Sequence, residues 1–119
     1  MNRTLLLRLA LVAAVVFAVT MALLPKPPHM PIDQYGDKFG HMLAFATMTL
    51  LAALSFPTAR LFRSGERLSF LGAMIEVLQA IPSLHRDCDI RDWIADTLAI
   101  TVVLLIVWFA RRGRGARLN

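Results

Sequence analysis

Four apolar runs, parted by proline-rich or charged breaks, set the organisation of the chain. The first is uncharged from Leu9 to Leu24, behind a positive start at Arg3 and Arg8. The second covers Phe39 to Phe56 and meets Pro57. The third, Leu68 to Ile81, is shorter, contains Glu76 and ends at Pro82. The fourth, Trp93 to Ala110, carries a tryptophan near each end. A bilayer's hydrocarbon core needs ~20 apolar residues of helix, so these runs predict four transmembrane helices at about 5–24, 39–56, 67–81 and 93–110. The third falls short of that length and predicts a helix that borrows Arg63 to Arg67 as a wet first turn or sits in a thinned bilayer.

The breaks support the same division. PKPPHMPIDQYG holds Pro25, Pro27, Pro28 and Pro31, which forbid a regular helix and predict an extended connection. TARLFRSGERLSF carries Arg60, Arg63 and Arg67 with a Ser-Gly break, and SLHRDCDIRD forms a second polar loop. RRGRGARLN, residues 111–119, reads as a basic, disordered tail. A signal peptide would start much as the first run does. No small-x-small cleavage site follows it, however, and the rest of the chain is itself membranous. The first run is therefore read as an uncleaved span, with Arg8 snorkelling to the interface.

Composition strengthens this picture. Of the 119 residues, 57% are hydrophobic and 18% charged, with mean hydropathy +0.60. A soluble domain of this size has too little interior to hide so much apolar surface. The net charge of +5 would raise nucleic acid as a partner in a soluble protein. Here the basic residues flank apolar runs and no basic stripe carries interleaved aromatics, so no nucleic-acid partner is expected. The single cysteine, Cys88, makes neither an internal disulfide nor a paired-cysteine metal site.

Charge then fixes an expected orientation. With four spans, Arg3, Arg8, Arg60, Arg63, Arg67, Arg111, Arg112, Arg114 and Arg117 fall on one side. Lys26, Lys38, Arg86 and Arg91 fall on the other. The positive-inside rule places the first side, and both termini, in the cytoplasm. The acids run the opposite way. Only Glu66 is on the arginine-rich side, whereas Asp33, Asp37, Glu76, Asp87, Asp89, Asp92 and Asp96 lie outside or in the outer part of the spans.

Helical spacing groups these polar residues. Asp37 and His41 are four apart in "DKFGHMLAF". Gly72, Glu76 and Gln79 are spaced i, i+4, i+7, and Asp92 and Asp96 are four apart. Residues at such spacings share a helix face. Alternating directions bring all three groups to a comparable outer depth, with Asp89 joining if the fourth helix starts early and Arg86 closing the set. Each also has a plainer reading. Asp37 and Asp92 suit helix N-caps, Lys38 an interfacial anchor, and Gln79 interhelical glue. Arg86 and Asp89 suit a solvated loop, and His41 a structural hydrogen bond. Glu76 and Asp96, further inside apolar helices, are harder to explain that way.

Taken together, "DKFGHMLAF", "GAMIEVLQAI" and "HRDCDIRDWIADTLA" resemble the VanZ-like family of small bacterial membrane proteins. The resemblance covers Asp37 to about Ala99. It implies an integral membrane protein of the cell envelope, in a family with members linked to resistance to glycopeptide antibiotics such as teicoplanin. The family's polar positions fall here on Asp37, Lys38, His41, Gly72, Glu76, Gln79, Arg86, Asp89 and Asp92. This chain departs from the pattern where Asp96 and Ala99 replace an expected asparagine and glycine.

The expectation is therefore an all-α integral membrane bundle with an outward-facing polar pocket. It would bind an envelope-associated amphiphile or lipid-linked anionic substrate, and the sequence does not decide whether it also processes it. His41, Asp37, Glu76, Asp92 and Asp96 are the candidates for proton chemistry. Lys38, Gln79, Arg86 and Asp89 are the candidates for substrate contact, the cations suiting an anionic head group. No cofactor or metal is expected, since no defined ligand spacing is present. The bilayer is the expected partner, and a homodimer would suit so small a bundle. Two rival readings stay open: a proton-coupled transporter or ion conductor, and a structural membrane partner whose polar cluster only specifies packing.

Overall fold

A computed structural model describes residues 2–23, 37–81 and 90–118, with side chains at 2–23, 40–81 and 90–113. The described residues form four α-helices: α1 (Arg3–Leu23), α2 (Asp37–Ser55), α3 (Leu61–Gln79) and α4 (Ile90–Leu118). The 25–36 connection and the 82–89 loop, with Pro82, Cys88, Arg86 and Asp89, lie outside the described residues.

Local chemistry sets several boundaries. Asn2 caps α1, its Oδ1 accepting from the backbone N–H of Leu5 at 2.7 Å. Pro57 closes α2 as expected, and a short turn leads to Arg60, whose extended backbone (φ −66°, ψ 129°) starts α3 without a side-chain cap. Two differences from the expected spans stand out. First, α3 begins at Leu61, and the Ser64–Gly65 pair lies within the helix instead of breaking it. A Cβ on Gly65 would lie 2.6 Å from Leu104 Cδ1 and 3.6 Å from Ile100 Cγ2. The missing side chain is what lets α4 approach, so the glycine marks a contact and not a break. The helix thereby reaches 19 residues, about 28 Å, but with Arg63, Glu66, Arg67 and Glu76 in it α3 is not among the helices apolar enough to cross a membrane. Second, the basic tail is not disordered: it continues α4 to Leu118, giving 29 residues and roughly 43 Å.

The central element is α2, which packs against the other three helices. The buried core consists of Ala22 from α1, Phe45, Met48 and Ala52 from α2, Leu68 and Ile75 from α3, and Ile100 from α4. Large apolar side chains also cover the outside, including Leu9, Val12 and Val16 of α1 and Val102, Leu105, Ile106 and Phe109 of α4. Two helices are long and apolar enough to cross a membrane: Arg3–Leu23, mean hydropathy 2.5, and Ile90–Gly113, mean hydropathy 2.2. A shorter apolar helical stretch runs from Gly40 to Ser55.

One end of the bundle is basic. There Arg8 Nε donates to Ser55 O at 3.3 Å, and Arg111 donates to Ala53 O at 2.8 Å. The two guanidinium groups, from the first and last helices, thus satisfy carbonyls in the final turn of α2, where the helix dipole favours cations. Arg8 also lies over the Phe56 ring, 4.5 Å from its centroid. This arginine therefore reaches across to a neighbouring helix, and is not simply extended toward the interface.

Candidate functional site

The opposite end gathers the acids. The neighbours of Gly72 fix the register of three helices. A Cβ there would stand 3.4 Å from Phe45 Cζ, 3.5 Å from Asp96 Oδ2 and 3.5 Å from Trp93 Cδ1. Residues of α2, α3 and α4 therefore meet in one layer at Phe45, Gly72 and Asp96. One helical turn away on each helix, on the same face, stand His41, Glu76 and Asp92. The electrostatic influence of both Glu76 and Asp92 on Asp96 fits this stacking. Three of the five residues expected to carry proton chemistry thus form an upper layer or edge, with Asp96 beneath them.

Burial grades with depth. His41 and Asp92 are half-buried, while Glu76 is 6% and Asp96 2% exposed. Asp96 Oδ1 has no hydrogen-bond partner among the described residues. A buried carboxyl oxygen without a partner is costly, so its presence calls for an explanation. Glu76 does have an interaction partner. Asp37 and Lys38 occupy the first turn of α2, as expected, but their side chains lie outside the described residues.

The seam between α3 and α4 supplies residues that sequence reasoning did not select. Trp93 Nε1 donates to Ser69 O at 3.0 Å, and the Ser69 and Thr97 hydroxyls lie 2.9 Å apart. Trp93 is therefore tied to α3 close to Gly72. Gly65, Ser69 and Gly72 follow the i, i+4, i+7 spacing of a small-residue contact face. That spacing was legible in the sequence and points to the seam.

Gln79 belongs to a different contact. Its Nε2 donates to Ala22 O, in the last turn of α1, at 2.8 Å, and its Oε1 is buried without a partner. The amide thus fastens α1 to α3, the interhelical role expected for it. Gln79→Leu is expected to leave the Ala22 carbonyl buried and unpaired, lowering stability by about 1–3 kcal/mol. Thermal unfolding of the purified protein in detergent checks this, and an unchanged midpoint would remove the amide from the account.

Away from the acidic end Met48, Ala52, Leu68 and Ile100 fill the interior. The buried Thr49 hydroxyl bonds to its own helix at Phe45 O, 2.6 Å, as the exposed Thr101 does at Thr97 O, 2.8 Å, and the Ser55 hydroxyl at the basic end is buried without a partner among the described residues. Among the described residues no three His, Cys, Asp or Glu side chains form a metal-holding group. Arg91, at the acidic end, is exposed. No family model matches the chain, and no curated protein or solved structure matches it either.

Proposed function

We propose that the protein is a VanZ-like, multi-pass protein of a bacterial inner membrane, with four spans and both termini cytoplasmic. Its acidic end would face outward and bind an envelope-associated amphiphile. The observation that carries this reading is the graded stack of His41, Glu76 and Asp92 over Asp96. The stack opens at the half-buried layer and closes below on an apolar core. A site of that shape admits a head group from one side. In the membrane orientation given by the arginine count, that side is outside. The apolar faces of α1 and α4 suit lipid, and the acyl chains of an amphiphile would lie along them.

In this reading His41 and Glu76 are the groups placed to exchange protons with a bound head group, His41 at the more open level. Lys38 and Arg86 would meet an anionic part of the ligand. A link to glycopeptide resistance would follow if the amphiphile is a cell-wall precursor. Transport ranks lower, because an ion path needs polar groups through the whole depth. Below the Asp96 layer, Met48, Leu68 and Ile100 occupy that position.

The test is recovery of bound amphiphile from protein purified out of native membranes. Wild type is expected to carry it, and Glu76→Gln and the His41/Glu76/Asp92 triple alanine variant are expected to lose at least ~90% of it. A tenfold loss corresponds to about 1.4 kcal/mol of binding, less than one charge-assisted hydrogen bond. Undiminished amphiphile in the triple variant, at normal expression, sinks the proposal.

A further inference from the structure

Building on that site, we infer that the head group it accepts carries a primary ammonium, seated on the Asp96 carboxyl group between α2, α3 and α4. Three acids converge on this place from two helices: Asp96, with Glu76 and Asp92 acting on it electrostatically. The second observation is independent of their number. Asp96 is 2% exposed, and its Oδ1, an acceptor, is paired with nothing among the described residues. Asp96, Phe45 and Trp93 all border the Gly72 position, and Trp93 uses its one N–H on Ser69 O. The neighbouring hydroxyls of Ser69 and Thr97 are engaged with each other. Among the described residues no side chain donates to Asp96 Oδ1, so this buried acceptor is open to a donor carried by a ligand.

The geometry selects the kind of donor. No metal-holding group of three side chains forms here among the described residues, so the acids do not close on one small ion. They lie instead about one turn, ~5 Å, apart along the helices. An ammonium offers three N–H donors, which can point to separate oxygens at that spacing. Gly72 matters because it leaves the Asp96 oxygen uncovered on the α3 side: a methyl placed there would touch Oδ2 at 3.5 Å.

The experiment places the full chain in nanodiscs of phosphatidylethanolamine, phosphatidylcholine and phosphatidylglycerol in equal parts, then releases it for native mass spectrometry of retained lipid. Phosphatidylethanolamine is expected to be enriched roughly tenfold over both others, the strength of one charge-assisted contact. Phosphatidylcholine keeps the positive charge but lacks N–H donors, so it separates hydrogen bonding from charge. Asp96→Asn, which preserves shape, is expected to abolish the enrichment, and Gly72→Ala, whose Cβ fits at ordinary contact distances, to reduce it severalfold. Helical circular dichroism and monodispersity establish that both variants fold. Should either fail to fold, Asp92→Asn provides the same comparison, with a severalfold loss expected. Enrichment that persists in Asp96→Asn, or in Asp92→Asn where that variant stands in, overturns the inference. Wild-type retention of lipid with no preference for the primary amine overturns the inference alone, whereas wild type that retains no lipid overturns the amphiphile reading as well.

Discussion

Gly65→Val is expected to separate α3 from α4 and to lower stability by about 2–3 kcal/mol, the upper part of the range for overpacking a tight contact. The Cβ alone would meet Leu104 Cδ1 at 2.6 Å, and valine adds two stiff methyl groups at a point where Ile100 is already 3.6 Å away. Gly65→Ala is a graded control. The clashing atom is the end of a flexible leucine, and alanine gains about 1 kcal/mol of helix propensity over glycine, so its net effect should be small. Pairing Gly65→Val with Leu104→Ala should restore part of the loss, because it clears the obstructing methyl. Equilibrium unfolding in detergent micelles, followed by helical signal, measures all three. A Gly65→Val protein as stable as wild type would show that the close approach of α3 and α4 does not hold the bundle.

The second large effect is expected at the basic end. Replacing Arg8 and Arg111 together with alanine should cost about 2–4 kcal/mol, since a hydrogen bond to a charged group contributes about 1.5–3 kcal/mol and both contacts are only partly buried. Arg111, at 2.8 Å, should carry the larger share, and Arg8, at 3.3 Å, the smaller, supplemented by its position over Phe56. The two act on one helix end. Once one carbonyl is released the last turn of α2 frays, so the second loss should cost less than it does alone. A double-mutant cycle with a coupling of at least ~0.5 kcal/mol is the expected signature. Strict additivity would mean that the arginines hold separate structures, and no loss in the double variant would mean that water caps α2 equally well.

The four helices were legible because long apolar runs broken by proline and charge have few other solutions. Their boundaries were less so. Gly65 read as a break because local propensity counts glycine against a helix, whereas the decisive fact is Leu104 across the seam, 39 positions away. The helical tail was missed for a related reason: its glycines and arginines have no apolar periodicity, and only continuity with the preceding helix shows it.

The site was legible in part. Spacing by fours placed His41, Glu76, Asp92 and Asp96 on facing surfaces, and the structure stacks the residues of those surfaces in register. Spacing could not tell Gln79 from its neighbours, because a glutamine that pins α1 and one that touches a ligand occupy the same positions. Nor could it find Trp93 or Ser69, whose role depends on which way α4 is rotated. The arginines at the other end were read through charge alone. Charge predicts a side of the membrane, and it does not predict that a guanidinium will seek out a particular carbonyl.

The arrangement at the end of α2 also imposes an order on biosynthesis. The carbonyl of Ala53 waits for Arg111, 58 residues later in the chain. At a synthesis rate of about 5–20 residues per second, that is a delay of roughly 3–12 s. During it, α2 and α3 are already made while the last turn of α2 lacks one of its two clasps. A ribosome-bound chain stopped before residue 111 would therefore hold an open bundle. Proteases that reach this end of the bundle would find their best substrate in that interval, before the end of the final helix closes it.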